Sequence, residues 1–522
     1  MASEGDARRL LAAAVIASML LAVGGAEGGP GAIAEKYGAM VRVVARELVN
    51  RYYADAGAGE VAGCTCSFHD CGDFFPETAC IDTRHQEDLD CGPAGPCGRM
   101  LVNPELSGVR TPPGLITEDP SLSPDVLKDI CLTQGLEETF KKAANFTAGF
   151  EPWIYVAMAR SGVMRTWPLK PREREPNGQC VHYDPRDRPW FKSATSEPKK
   201  VVIIVQASDS MRLPFHMGAG SVGKSRWRVA LDAIRGILNT LDHASDYVNV
   251  VTFSADAKPL MDGGLVIADV DNIDSLAGKL ENVTLAAGAD NKKAFDLAFD
   301  LLDGSISRAG IDDSCQNIII HIGDGSDCTT STRPQGSCSL GESSSGRLPD
   351  GVFKNLEAVR ERQERLEQDS SRAAIFTCTV ENADDSLARQ MACANGGTWF
   401  TLDGRGEPLN NMEGYFQYLA LAVERHLGGA NEPVLFSPLY EDASGLGIMT
   451  TVSQPIFVNP RCAERNSTVG RLLLGIVAKD ITLDSLLEAG LTQQMVETMI
   501  RESLGSFRRC NEDYKYAHCK MQ

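Results

Sequence analysis

The stretch from about residue 198 to 432 is the tightest constraint on what this chain can fold into. VVIIV at 201–205 is short and continuously apolar, as a strand buried on both faces must be. After it come SRWRVALDAIRGILNTL at helical spacing, YVNVVTF, GADNKKAFDLAFDLL, NIIIHIGDG, FKNLEAVRERQERLE, AAIFTCTV and NMEGYFQYLALAVERHL. Strand-like and helix-like segments alternating in this way predict an α/β doubly wound, mostly parallel sheet covered by helices on both faces.

The flanks follow a different pattern. Ala32–Tyr53 places Ile33, Tyr37, Met40, Val41, Val44 and Leu48 at helical spacing, which predicts one buried stripe. Pro124–Phe146 reads as a further helix, and WIYVAMARSG with VMRTWPL reads as a hairpin turning at Ser161 and Gly162. Beyond 432, LFSPLYEDASGLGIMTTVSQPIFV reads as strand, turn and strand, with Gly445 and Gly447 in the turn. RLLLGIVAKDITLDSLL reads as strand then helix. With 522 residues there is room for roughly two to four domains of about 100–200 residues each.

Charge and cysteine usage narrow the setting. A net charge of −19 argues against nucleic acid or anionic lipid as a main partner, since either needs a basic face to displace counterions. Arg8 and Arg9 precede an apolar run from Leu10 to Val23 and the small residues GGAEGG, so residues 1–26 read as a signal peptide, with an uncleaved anchor as the alternative. The run is shorter than the roughly 20 residues of a comfortable span. Sixteen cysteines fit an oxidising compartment, and their even number permits complete pairing. Sequons at Asn145, Asn282 and Asn466 point the same way, so the chain is expected to be a disulfide-bonded glycoprotein, secreted or on the extracellular side of the membrane. The segment 64–97 reads as a disulfide-stapled loop; a metal site from Cys64, Cys66, His69 and Cys71 lacks the paired CxxC knuckles of common zinc sites. The tail 501–522, ending FRRCNEDYKYAHCKMQ, carries no apolar stretch for a span or lipid anchor. Secretion, anchorage through the N-terminal segment and a truncated product all remain compatible with it.

Three motifs bear on chemistry. YDPRDRPWF at 183–191 packs rings and guanidinium groups onto a backbone stiffened by two prolines, a mix that suits a binding pocket. GAGSVGKS at 218–225 satisfies the phosphate-loop pattern, but its glycine does not come directly off the preceding strand as phosphate cradling requires, so it reads as a loop with Ser225 capping the next helix. No GxSxG elbow, no HExxH and no histidine paired with a nucleophile is present among eight histidines, so an enzyme is not expected.

The 198–432 block resembles a von Willebrand factor A domain. That family holds a metal with DxSxS after the first strand, a threonine in a later loop and an aspartate after a middle strand. Here the first motif is QASDS: Gln206 replaces the aspartate, Ser208 and Ser210 remain, the threonine position falls on Ala289, and Asp324 in IGDGSD matches the last aspartate. Divalent calcium and magnesium prefer hard oxygen ligands with carboxylate charge. The resemblance therefore implies at most weak Ca2+ or Mg2+ binding at Ser208, Ser210 and Asp324, with Asp209 and Asp327 near enough in sequence to restore charge.

Residues 27–197 and 433–500 together resemble an α+β Cache sensor domain with an antiparallel sheet, interrupted by the A-type domain. A Cache domain interrupted in this way is similar to the α2δ auxiliary subunits of voltage-gated calcium channels. Cache members that bind free amino acids carry a tyrosine, an arginine five positions on, a tryptophan two further, then a second tyrosine and an aspartate. Tyr183, Arg188, Trp190, Tyr440 and Asp480 match. The resemblance implies that Arg188 holds a ligand carboxylate in a two-pronged hydrogen bond, Asp480 takes the ammonium, and the three rings wall the pocket. Any single arginine or aspartate of this kind is more often half of a structural ion pair. Phe191 stands where many relatives have tyrosine. The expected function is a non-catalytic amino-acid sensor or channel-associated subunit, with a membrane channel or extracellular protein as partner; the alternative is an adhesion module acting through the A-type domain.

Overall fold

The computed structural model describes residues 29–55, 80–82, 99–101, 105–112, 124–144, 153–169, 183–216, 224–243, 245–304, 315–325, 350–369, 372–381, 385–402, 412–426, 434–442, 447–458 and 472–504. The expected signal peptide at 1–26, nearly all of the cysteine-rich segment 64–97 with Cys64, Cys66, His69 and Cys71, Asp327, Asn145, Asn466 and the residues beyond 504 lie outside the described residues.

Helix α1 (Pro30–Asp55) buries the stripe expected of it, from Ile33 through Leu48. Among the described residues, strands β1 (Cys80–Asp82) and β2 (Arg99–Leu101) pair only with each other. After β3 (Gly108–Arg110) the single helix read over 124–146 divides into α2 (Pro124–Thr133) and α3 (Glu137–Ala144). Gly135 sits between them at φ +74, a left-handed conformation that ends the first helix and favours glycine. The hairpin β4 (Ile154–Met158) and β5 (Met164–Trp167) follows, then a short helix α4 (Pro189–Thr195).

The next stretch builds a separate sheet. Its elements are β6 (Lys199–Gln206), α5 (Arg226–Asn239), β7 (Tyr247–Phe253), β8 (Ala257–Pro259), β9 (Val266–Ile267), α6 (Val270–Glu281) and α7 (Asn291–Leu302). They continue with β10 (Gln316–Gly323), α8 (Asp350–Asp369), β11 (Ala374–Val380), α9 (Ser386–Ala394), β12 (Trp399–Leu402) and α10 (Glu413–His426). Strand order is β12–β11–β10–β6–β7–β8, parallel except for β8 and β9, which pair antiparallel with β7. Alternate residues serve opposite faces: Val202, Ile204 and Ile319 pack with α7, α8 and α9, while Val201, Ile203 and Ile320 pack with α5, α6 and α10. The chain leaves β6 for β7 on one side and returns to β10 on the other. The β6/β10 crevice is thus the topological switch point, where ligands of such sheets sit.

The last elements are β13 (Leu435–Phe436), β14 (Tyr440–Glu441), β15 (Ile448–Val458), β16 (Leu472–Thr482), α11 (Leu483–Glu488) and α12 (Gln493–Leu504). They complete an antiparallel sheet in the order β13–β15–β16–β4–β5–β3, with β14 beside β15. The β16/β4 ladder, with Ala478 opposite Tyr155, joins the two ends of the chain, so the doubly wound domain is an insertion into an α+β domain. One face of this sheet, with Ile154, Val156 and Val477, packs on α1. The other, with Tyr155, Ala157 and Ala478, lies under Trp190, Phe191 and α10.

Specific contacts weld the insertion to its host. The Gln417 side chain in α10 donates to the Leu473 carbonyl at 2.9 Å and accepts from the Leu473 amide at 2.7 Å, serving both groups of one β16 residue. Lys192 of α4 donates through Nζ to the Leu241 carbonyl of the insertion at 2.9 Å, and just inside the insertion Lys199 and Asp246 form a buried ion pair, with the Lys199 amide donating to Asp246 Oδ1 at 3.1 Å. Among the described cysteines Cys131 and Cys315 are disulfide-bonded, whereas Cys378, buried in the insertion, and Cys393, exposed, are free, so pairing is not complete. No helix among the described residues is long and apolar enough to cross a membrane.

Candidate functional site

The motif at 183–191 folds as two successive caps. Asp184 accepts from the Arg186 amide at 2.9 Å and starts a single 3-10 turn, Pro185–Asp187; Pro189 then opens α4 at the position where a missing N–H costs nothing. The two arginines go separate ways. Arg186 is buried and forks onto Asp184 at 2.6 and 2.9 Å, a structural ion pair. Its guanidinium lies against Gly162, where a Cβ would come within 2.9 Å of it and where φ is +68, so this turn of the hairpin needs glycine. Arg188 points to the other side, into a cavity of about 250 Å³.

All five residues matched to the amino-acid motif, Tyr183, Arg188, Trp190, Tyr440 and Asp480, line that cavity. Strand register explains how distant residues meet: Thr451 lies opposite Asp480, Ala478 opposite Tyr155, and Tyr155 opposite Thr166, which puts them all on one face of the sheet. Arg110 of β3, opposite Met164, extends the same face. The strap 183–190 closes over it.

The cavity has a cationic and an anionic side. Arg188 and Arg110 lie 4.3 and 5.0 Å from the centre of the Tyr183 ring, held by cation–π attraction. Neither guanidinium has a hydrogen bond or ion pair among the described residues, and Arg188 Nε is buried without a partner. Burial lowers the Arg110 pKa, and the charge of Arg188 adds to that effect. Across the cavity, Asp480 Oδ1 accepts from Tyr155 at 2.5 Å, Thr451 at 2.7 Å and Tyr440 at 3.4 Å. Every hydrogen bond to this carboxylate among the described residues falls on Oδ1, leaving Oδ2 open. Burial pushes the Asp480 carboxyl above the usual range, against the lowering effect of the hydrogen bonds from Tyr155 and Thr451. Burial and then the charge of Asp480 push the Tyr155 and Tyr440 phenols well up, so both stay O–H donors at neutral pH. Trp153, also on the wall, is held at φ +74, a strained conformation for so bulky a residue and one that clusters at functional sites.

Phe191 is not on the wall. It is fully buried and meets Phe416 of α10 edge-on at 6.4 Å, so its apolar ring belongs to the seam between domains and not to the cavity. Arg110 and Tyr155 on the wall, and Thr451, which holds Asp480 Oδ1, are residues that motif matching missed.

At the switch point of the doubly wound sheet, Ser208, Ser210 and Asp324 do converge. Ser208 Oγ and Ser210 Oγ are 2.8 Å apart, and Gln206 Nε2 donates to Ser208 Oγ at 2.7 Å and to Asp324 Oδ1 at 2.8 Å. The Asp324 amide donates back to Gln206 Oε1 at 3.1 Å, while Arg226 reaches Asp324 Oδ2 at 3.4 Å. These residues do not fit a divalent cation: an amide N–H and a guanidinium already hold the oxygens a cation needs. Asp209 does not restore charge, for its carboxylate pairs with Arg212 at 3.2 Å on the exposed side. Ala289 is buried and offers no oxygen from its side chain. No cluster of three or more His, Cys, Asp or Glu side chains suited to a metal occurs among the described residues. Of the phosphate-loop look-alike, Ser225 caps α5 by accepting from the Arg228 amide; 217–223 lie outside the described residues.

The fold and cavity define a two-part protein, an A-type α/β domain set into an antiparallel α+β domain that carries a small, partly open pocket. The chain is a homologue of voltage-dependent calcium channel alpha-2/delta subunits. It is 26% identical over 398 residues to the alpha-2/delta-3 subunit of Rattus norvegicus, covering 74% of this chain and 32% of that protein. To the human alpha-2/delta-2 subunit it is 27% identical over 367 residues, covering 69% and 27%. The matches thus span about a third or less of these relatives' length. Among solved structures, a von Willebrand factor type A protein from Catenulispora acidiphila matches 54% of this chain and 57% of its own at 13% identity and a TM-score of 0.30. No protein-family model matches the chain.

Proposed function

We propose that this chain is a non-catalytic extracellular protein that binds a free amino acid in the cavity of its Cache-like domain, as an auxiliary subunit of a membrane channel. The observation that carries the reading is the pair of unengaged groups across one small cavity: Arg188, without a hydrogen-bonding partner, and Asp480 Oδ2, outside the hydroxyl cluster that fixes its sister oxygen. An α-amino acid presents a carboxylate and an ammonium on one carbon. Arg188 grips the carboxylate, Asp480 receives the ammonium, and Tyr183, Trp190 and Tyr440 exclude water around them. Arg110 faces the carboxylate from its other side.

The channel partner rests on the names of the homologues, and the extracellular setting rests on the disulfides at Cys131 and Cys315. The adhesion reading has less support, since the oxygens at the switch point are already engaged from within. Calorimetric titration of the chain with a panel of amino acids tests the proposal. Saturable binding of at least one, abolished in Arg188→Ala, is expected; failure of every amino acid to bind, or equal binding by the variant, overturns it.

A further inference from the structure

We infer that in this chain the Arg226 guanidinium and the Gln206 amide do permanently what a divalent cation does in A-type domains: they gather the loops at the switch point of the doubly wound sheet. Both oxygens of Asp324 are engaged, Oδ1 by Gln206 at 2.8 Å and Oδ2 by Arg226 at 3.4 Å. The same guanidinium donates through Nε to Glu381 Oε2 at 2.7 Å, and Glu381 Oε1 accepts from the His216 amide at 3.0 Å. One fixed charge therefore ties the end of β10, the start of α5, the end of β11 and the loop after β6.

Two details mark this as a built site and not a chance surface pair. Glu381 is held at φ +68, a conformation unusual for a residue with a Cβ and sustained only when its surroundings fix it. Burial alone would raise its pKa, yet hydrogen bonds from Arg226 and His216 hold it below the usual range. Gln206 completes the lock. Its amide forms a closed pair with Asp324, donating to the carboxylate and accepting from the backbone N–H, which no carboxylate at that position reproduces. A cation entering here meets N–H groups where it needs lone pairs, and a guanidinium where it needs negative charge. Whatever this crest touches, it touches without a divalent ion.

The test is titration of the chain with Mn2+ and with Mg2+, alongside the double variant Gln206→Asp, Arg226→Ala. Wild type is expected to give no saturable binding at millimolar ion, and its unfolding temperature should be the same in chelator. The double variant, with a second carboxylate and no guanidinium, should bind Mn2+ at least about tenfold more tightly than wild type and melt higher in its presence, a gain removed by adding Asp324→Asn. Saturable Mn2+ binding by wild type that Asp324→Asn removes overturns the inference, as does a folded double variant that gains nothing. Should the double variant fail to fold, Gln206→Asp alone is expected to gain a weaker Mn2+ site, and the absence of any gain over wild type is equally decisive. None of these outcomes depends on amino-acid binding.

Discussion

The cavity under the strap and the crest of the doubly wound sheet are made of the same parts, arginine, aspartate and hydroxyls, and differ in whether those parts are satisfied. At the crest Asp324 is neutralised on both oxygens by Gln206 and Arg226. In the cavity Arg188 and Arg110 share a tyrosine ring, and the aspartate on the far side keeps one oxygen open. The crest uses its polar groups to hold the fold together. The cavity holds two guanidinium groups near each other with acidic side chains, Asp442 and Asp480, on the same wall but no hydrogen bond or ion pair to either arginine among the described residues, so their donors stay open to an anion. Recognition sites are the places where a fold leaves such accounts open.

The largest effect that would break this comparison is in stability. Arg226→Ala strands two carboxylates and should cost about 2–3 kcal/mol in chemical denaturation. Arg188→Ala removes a guanidinium that has no hydrogen bond or ion pair among the described residues and should leave the ligand-free chain within about 0.5 kcal/mol of wild type, or above it. Equal losses in both variants would mean that Arg188, too, is structural.

Asp480→Asn comes next. On the proposed function, losing the charge that would receive the ammonium should weaken amino-acid binding by about 2 kcal/mol, roughly thirtyfold. The same loss should appear in wild type on acidification. Because burial raises the Asp480 pKa, affinity is held above that raised value and falls as pH drops through it, and the pH profile of Asp480→Asn should be flat over the same range. The stability term has the opposite sign. A carboxyl whose pKa is raised on folding costs stability above that pKa, and the cost disappears as it is protonated, so the ligand-free protein gains stability while losing affinity.

A smaller effect sharpens the cationic side. Arg110→Ala should lower affinity about tenfold for a free amino acid and leave the affinity for its carboxamide analogue unchanged, since only a carboxylate bridges two guanidinium groups. Equal losses for both ligands would assign Arg110 to packing.

Why five of the cavity residues were legible in the sequence and others, Arg110 and Tyr155 among them, were not follows from where each sits. Tyr183, Arg188 and Trp190 lie within eight positions of one another on a strap whose prolines fix its shape, so spacing alone specifies them. Arg110 lies on a three-residue edge strand, too short for any periodicity. Tyr155 reaches the cavity, and Thr451 reaches Asp480, only through the register of β4, β16 and β15, and the alternation of WIYVAM says that faces alternate without saying which face the strap covers. The doubly wound order was readable because its central strands are buried on both faces and leave unbroken apolar runs. Missed in it were β8, β9, α6, α9 and β12: α6 is a mostly polar surface helix, α9 has nine residues, and the three strands span only two to four residues each. At the metal motif the departure at Gln206 was visible, but the arginine that compensates for it comes from a helix twenty positions on, with no sequence pattern linking the two.

Phe191 gives the finest test of the boundary between the two regions. Counted in the motif, it is a tyrosine position that has lost a hydroxyl contact with the ligand. In the fold it is fully buried and meets the edge of Phe416, with Trp190 on its other side. Phe191→Tyr should therefore leave amino-acid affinity unchanged and instead destabilise the chain by about 1 kcal/mol, the cost of a hydroxyl placed between apolar rings without a partner. A variant that binds more tightly and melts no lower would return Phe191 to the cavity and move the seam between strap and insertion away from α10.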